Sequence, residues 1–219
     1  MIQPLLDALA ERGYDTMTAV QEAVTKPELA GADLLVSAQT GSGKTVGFGL
    51  AIGDTLLAGE TRLGAAGAPL ALIVAPTREL ALQVMRELGW LYAKTGAVVA
   101  SCVGGTDMRD ERRALDRGAH LVVGTPGRLR DHIQRGSLQM GSLRAIVLDE
   151  ADEMLDMGFA EDLEAILAAT PAEKQVALFS ATLAPRIATI ARTHLRDPEV
   201  IEVDTAAVKA ARTATIRQV

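Results

Sequence analysis

The stretch Ala38-Gln39-Thr40-Gly41-Ser42-Gly43-Lys44-Thr45 comes one residue after the short apolar run Leu34-Leu35-Val36. Glycines without a Cβ let the backbone curl tightly, so that successive N–H groups face one concavity, the geometry that surrounds a phosphate. In such a cradle Lys44 supplies a point charge to β- and γ-phosphates, and the Thr45 hydroxyl is a natural ligand for the Mg²⁺ that accompanies a nucleoside triphosphate. A helix opening near Lys44 turns its positive dipole end toward the same anion. The general form of this loop begins with glycine. Here Ala38 takes that place, so the match is to a variant.

Outward from the cradle, apolar runs alternate with helical segments. The predicted strands are 34–36, 70–74, 98–102, 120–123, 145–148, 176–179 and 200–203, and runs apolar on both sides of the pleat suit a parallel sheet buried between helical layers. Helices are predicted over 3–11, from Thr18 as a cap through Gln21, and over 45–58, 78–95, 107–117, 127–135, 151–157, 160–169 and 185–195. The Gly- and Ala-rich segment 59–69 reads as a flexible loop. One domain is expected, with a tail from about Asp204 in which the alternation is lost.

The polar residues fall at the carboxyl ends of the predicted strands: Pro76-Thr77-Arg78-Glu79, Gly104-Gly105, Thr125-Pro126-Gly127-Arg128, Asp149-Glu150-Ala151-Asp152 and Ser180-Ala181-Thr182. A parallel sheet puts all those ends on one edge, where open α/β folds bind ligands. Asp149, opposite the cradle threonine, would complete a Mg²⁺ site, since the ion takes few carboxylates together with water and phosphate oxygens. Glu150 would then stand beside the γ-phosphate, able to orient or deprotonate an attacking water. Gln21 carries an amide that can accept from adenine N6 and donate to N7, although an exposed helical glutamine has the same appearance in sequence.

Composition sets the outer bounds. The chain has 219 residues, 48% of them hydrophobic but only 3% aromatic, so its packing rests on Ala, Leu, Val and Ile. A single cysteine, Cys102, excludes an internal disulfide framework and suits a reducing compartment. No apolar run approaches the roughly 20 residues that cross a bilayer, so a cytoplasmic protein without membrane contact is expected. A net charge of −6 argues against indiscriminate polyanion binding, yet residues 104–135 hold seven arginines against five acids. None of the three histidines has a Cys or His partner at metal-ligand spacing, and Cys102 reads as a packing residue.

Asp149-Glu150-Ala151-Asp152 spells DEAD. Together with AQTGSGKT, PTRELA (76–81), Gly104-Gly105, TPGR (125–128) and SAT (180–182), it makes the chain resemble the N-terminal RecA-like domain of DEAD-box RNA helicases, in the family's motif order over almost the whole length. The resemblance implies an α/β fold, a RecA-like three-layer sandwich with a mostly parallel central sheet, over residues 1–204, and the start of an interdomain linker over 205–219. It implies ATP and Mg²⁺ as cofactors and RNA as partner. On the nucleotide side it assigns Tyr14, Gln21, Thr40, Gly41, Ser42, Gly43, Lys44 and Thr45, with Thr45 and Asp149 for the metal and Lys44, Asp149 and Glu150 for catalysis. Arg78, Gly105, Thr125 and Arg128 match positions that hold the RNA backbone. Ser180 and Thr182, through Asp152, match the motif that couples nucleotide state to RNA remodelling.

The sequence departs from the family pattern in places. Gln21 resembles the adenine-reading glutamine of the family's Q motif; Met17 stands where that motif usually has proline, and the aromatic residue that usually precedes the Q-motif glycine by some seventeen positions would fall before Met1. A second RecA-like domain, whose arginines complete the ATP site, is not within residues 1–219. The implied activity is ATP-driven local unwinding of RNA by a two-domain parent, with negligible hydrolysis by the isolated chain. A DNA-directed helicase or translocase on the same core, and a one-domain nucleotide-dependent RNA-binding scaffold, remain as alternatives.

Overall fold

A computed structural model describes residues 2–203. Its centre is a parallel sheet of seven strands: β1 (Leu34–Ser37), β2 (Ala71–Val74), β3 (Val99–Cys102), β4 (Leu121–Gly124), β5 (Ala145–Leu148), β6 (Gln175–Ser180) and β7 (Glu199–Glu202), in the order β3-β4-β2-β5-β6-β1-β7. Each lies within one or two residues of its predicted run. The expected tail from Asp204 lies outside the described residues.

Period-two alternation sorts the strand residues into two cores. Leu34, Val36, Ala71, Ile73, Val123, Ala145, Val147 and Phe179 face one side. There they pack on α1 (Gln3–Glu11), α2 (Ala19–Val24), α3 (Lys44–Ala51), α4 (Gly53–Leu57) and α5 (Arg78–Leu91). Leu35, Leu72, Val74, Val122, Ile146, Leu148, Val176 and Leu178 face the other, under α6 (Met108–Arg117), α7 (Pro126–Arg135), α8 (Ala151–Asp156), α9 (Ala160–Ala168) and α10 (Pro185–His194). Strands buried on both faces need near-continuous apolar runs, which is what these sequences supply.

The helix predicted over 45–58 is two helices, with a break at Ile52. The buried Tyr92 hydroxyl donates to the Gly49 carbonyl, which in an unbroken helix serves the N–H four residues on. Gly53 also admits Leu5: a Cβ there would lie 2.7 Å from Leu5 Cδ1. Likewise the predicted helix 78–95 ends at Leu91 and finishes in a 3₁₀ turn, Ala93–Thr95, before Gly96 at φ +79°. The Gly/Ala-rich loop is tied down along its length. Leu63 N donates to Thr95 O, Ala119 N to Gly67 O, and His120 Nε2 meets Gly64 O at 2.8 Å while Nδ1 accepts from Val98 N.

Register decides what the edge can assemble. Ser37 pairs with Ser180, so β1 and β6 end level, and Leu148 pairs with Leu178, so β5 ends beside them slightly short and Asp149 and Glu150 follow on the same rim. The ends of β2, β4 and β3 continue the same rim.

Candidate functional site

The β1 end of the rim carries the phosphate cradle. Gly41 and Gly43 both sit at positive φ, +82° and +81°, and Gly43 caps α3, so Lys44 and Thr45 are the first residues of that helix. Lys44 is buried and reaches across β6: its Nζ lies 2.6 Å from Asp149 Oδ1 and 3.5 Å from Glu150 Oε1. Thr40 Oγ1 donates to Glu150 Oε1 at 2.9 Å. The cradle therefore closes on its own carboxylates.

Asp149 follows β5 and is fully buried. Burial pushes its carboxyl above the usual range, a shift only partly opposed by the Lys44 charge and hydrogen bond. Its second oxygen, Oδ2, has no partner among the described residues, nor have the buried hydroxyls of Ser42 and Ser180. Orphaned buried polar atoms are rare in native proteins. Three of them, on the cradle and on residues at the ends of the neighbouring strands β5 and β6, fit a site built for polar ligands, Mg²⁺ and phosphate oxygens among them. Glu150 occupies the left-handed region, φ +50° and ψ +52°, as the cap of α8. A non-glycine residue there is strained.

At the adjoining end of β6, Ala38 N donates to Ser180 O, while Ser37 Oγ and Gln39 Nε2 reach Ala181 O. Thr182 Oγ1 donates to Asp152 Oδ2 at 3.3 Å. The SAT segment thus touches the cradle on one side and the DEAD helix on the other.

Gln21 is also engaged with this loop. Thr18 and Gln21 form a reciprocal capping box, with Thr18 N donating to Gln21 Oε1 at 3.0 Å, and Gln21 Nε2 donates to Gly43 O at 3.1 Å. One N–H and one lone pair of the buried amide have no partner among the described residues. Beside it lies a pocket of about 260 Å³ lined by Leu6, Leu9, Ala10, Tyr14, Met17 and Gln21 among others. Met17, in the usual proline place, packs on the core here. Tyr14 is half-exposed and stacks on Trp90 with ring centroids 5.6 Å apart.

The remaining predicted residues gather on the β2-β4-β3 half of the rim. Arg78 opens α5 under the Thr77 cap, and its guanidinium fills the space that a Cβ on Gly105 would need. Thr125 caps α7 and its hydroxyl reaches Val103 O. Arg128 Nη2 donates to Thr106 O at 3.0 Å.

Sequence spacing missed one cluster entirely. Cys102, Glu111 and His132, from β3, α6 and α7, have ligand-type atoms within 4.8 Å of one another, although the histidine has no partner in linear spacing. Glu111 and His132 are already engaged in hydrogen bonds. Glu111 accepts from His132, Val103 N and Thr106, and burial beside Glu111 pushes the Cys102 thiol up to about 12, against the thiolate that a metal needs. The signal available was two charged or polar residues on the inner faces of otherwise charged helices.

Comparison with known proteins agrees with this layout. The chain matches the domain profile described as DEAD/DEAH box helicase over residues 18–190. It is 43% identical over 201 residues to the DEAD-box ATP-dependent RNA helicase CshA of Geobacillus kaustophilus, covering 92% of this chain and 42% of that one. It is also 43% identical over 201 residues to the ATP-dependent RNA helicase DeaD of Haemophilus influenzae, covering 91% and 32%. The chain therefore spans less than half the length of these relatives. Among solved structures, a DEAD box protein from the hyperthermophile Methanococcus jannaschii superposes with TM-score 0.85 at 36% identity, over 94% of this chain and 55% of that one. A hypothetical ATP-dependent RNA helicase from Sulfolobus tokodaii gives 0.82 at 33%, over 93% and 57%. A RecA-like sheet edge carrying the cradle, the DEAD carboxylates and the SAT segment in contact, and a profile match over most of its length, have one meaning: the chain belongs to the DEAD/DEAH box helicase family.

Proposed function

We propose that this chain is the ATP-binding half of an ATP-dependent RNA helicase, in which ATP binding and hydrolysis drive local opening of an RNA duplex. The observation that carries the proposal is the reach of Lys44 across β6 to Asp149, with Glu150 held against the cradle by Thr40. Lys44 and the amides of residues 41–45 bind the β- and γ-phosphates. Thr45 and the unpaired Oδ2 of Asp149 would hold Mg²⁺, which when bound neutralises charge on phosphate oxygens. Glu150 orients the attacking water and takes its proton. Adenine fits the pocket beside Tyr14 and Gln21, whose free amide valences are the ones its N6 and N7 require.

Arg78, Gly105, Thr125 and Arg128 hold the sugar-phosphate backbone of single-stranded RNA, contacts that carry no sequence preference. The double attachment of Ser180–Thr182 to cradle and DEAD helix supports a coupling role for Ser180, Thr182 and Asp152. A second RecA-like domain supplies the rest of the clamp and the arginines of the ATP site, contributions worth roughly 10³–10⁵ in rate in related phosphoryl transfers. A cytoplasmic setting goes with this reading; among the described residues no helix is long and apolar enough to cross a membrane.

The test is steady-state ATP hydrolysis by the full-length gene product and by residues 1–219 alone, each with single-stranded RNA or DNA of identical sequence. RNA-stimulated turnover by the full-length product and negligible turnover by 1–219 are expected. Equal stimulation by DNA would overturn the RNA assignment. RNA-stimulated turnover by 1–219 would overturn the need for a second domain, and absence of turnover in every case would favour a nucleotide-dependent scaffold.

A further inference from the structure

Glu111 is a buried carboxylate on which four donors converge. Its Oε2 accepts from Val103 N at 3.0 Å and Thr106 Oγ1 at 3.1 Å; its Oε1 accepts from His132 Nε2 at 2.9 Å and faces Arg128 Nε at 3.4 Å. Three of these donors belong to the segments proposed to meet RNA: the turn containing Gly104 and Gly105, both at positive φ, and Arg128 itself. Arg128 Nη2 closes the ring on Thr106 O, and Nη1 has no partner among the described residues. His132 lies behind this hub, wholly buried, and among the described residues its ring nitrogens meet only Glu111 and Ser137.

Proton counting fixes the direction of the His132 bond. The Ser137 hydroxyl lies 2.7 Å from His132 Nδ1 and 3.2 Å from the His132 carbonyl, and its single proton serves one or the other. If it serves the carbonyl, Nδ1 carries a proton as well. If it serves Nδ1, that nitrogen is bare. In both cases Nε2 must carry a proton, because a carboxylate oxygen only accepts.

We infer that His132 is a positioning residue for RNA binding: it donates to Glu111, and so leaves the outer Nη1 of Arg128 free to engage a phosphate instead of the whole guanidinium becoming the main counter-charge of a buried carboxylate. The inference rests on the RNA reading given above. Without the Nε2 donor, Glu111 keeps its charge in a buried place and draws the Arg128 fork inward, since an unpaired buried carboxylate is costly. One phosphate contact is then lost from the rim.

Two variants separate the nitrogens. His132→Gln is long enough to put an N–H where Nε2 stands, and His132→Asn reaches only the Nδ1 position. Binding of fluorescein-labelled oligouridylate to the full-length gene product, measured from about 50 to about 200 mM salt, reports affinity and the number of phosphates neutralised. Thermal midpoints are recorded in parallel. Expected are wild-type binding for His132→Gln, and for His132→Asn a roughly tenfold loss with a salt slope lower by about 0.7, one contact on a single strand. Arg128→Ala should give the same slope, and the double variant with His132→Asn should bind no more weakly than Arg128→Ala alone. An unaltered slope in His132→Asn, or additive losses in the double variant, would overturn the inference and leave the RNA reading standing. Failure of the wild type to bind oligouridylate would overturn both.

Discussion

Lys44 Nζ stands 2.6 Å from Asp149 Oδ1, with both side chains out of solvent and a neighbouring strand between their elements. Removing one member of a buried pair strands the other, at a cost of about 3–5 kcal/mol, whereas replacing both is often close to neutral. Lys44→Met is expected to lower the nucleotide-free melting midpoint by roughly 6–12 °C for a loss near 3 kcal/mol in a domain of this size. Lys44→Met combined with Asp149→Asn should recover most of that loss, and neither variant should bind ATP. Thermal melts of the single and double variants form the cycle that measures the coupling; a double variant as unstable as the sum of its parts would show that the pair is not coupled.

Glu150 accepts from Thr40 Oγ1 at 2.9 Å and holds a left-handed backbone. Glu150→Gln retains a carbonyl oxygen for Thr40 and changes no backbone requirement, but it removes the proton acceptor. Nucleotide affinity should therefore stay within about twofold while kcat of the full-length product falls by about 10²–10⁴. Equilibrium titration with a fluorescent ATP analogue and a phosphate-release assay check the two halves separately. Unchanged turnover would remove Glu150 from its assigned role.

How much of this was legible in the sequence follows from the range of each cause. The strands were, because burial on both faces writes itself as runs such as Ala145-Ile146-Val147-Leu148, and register then puts every polar motif on one rim. The helix break at Ile52 was not, because it depends on Tyr92, forty-three residues from the carbonyl its hydroxyl takes. The second task of Gln21 on Gly43 O, the Thr40–Glu150 bond across 110 positions and the convergence on Glu111 from α7 and the turn after β3 are likewise products of tertiary approach. Motif letters singled out the residues proposed to meet ligands. They were silent on the residues that hold those in place.

Gly43 shows how tightly the cradle and the Q-motif helix share space. A Cβ there would lie 2.6 Å from Gln21 Nε2 and 2.9 Å from Thr18 Oγ1, at φ +81°, while one on Gly41, at nearly the same φ, would meet nothing within 4 Å. Gly41→Ala should therefore carry only the backbone penalty, about 1 kcal/mol, and Gly43→Ala that penalty plus loss of the amide bond and cap, about 2–4 kcal/mol in all. Urea unfolding midpoints of the two variants would measure the gap; equal midpoints would mean that Gln21 and Thr18 yield without cost.

Glu111 gives the fold an acid-sensitive joint. Burial alone would push its carboxyl up, but the hydrogen bonds from His132, Val103 N and Thr106 and the charge of Arg128 together hold it below its ordinary value of 4.5. A carboxylate with a depressed folded-state value contributes stability that is fully present above the unfolded value and is lost as pH falls through the folded one. Between neutrality and about pH 5 this contribution should be constant, and it should drain away below about 4.5. Glu111→Gln keeps the shape and can still accept at one oxygen, but it presents an N–H to the donors on the other side. It should be less stable than the wild type at pH 7 by about 1–3 kcal/mol, with the difference shrinking as pH falls. Urea unfolding of both proteins from pH 7 to about pH 4 tests this; a gap that stays constant across the range would mean that the carboxylate charge of Glu111 does not hold the turn and Arg128 together.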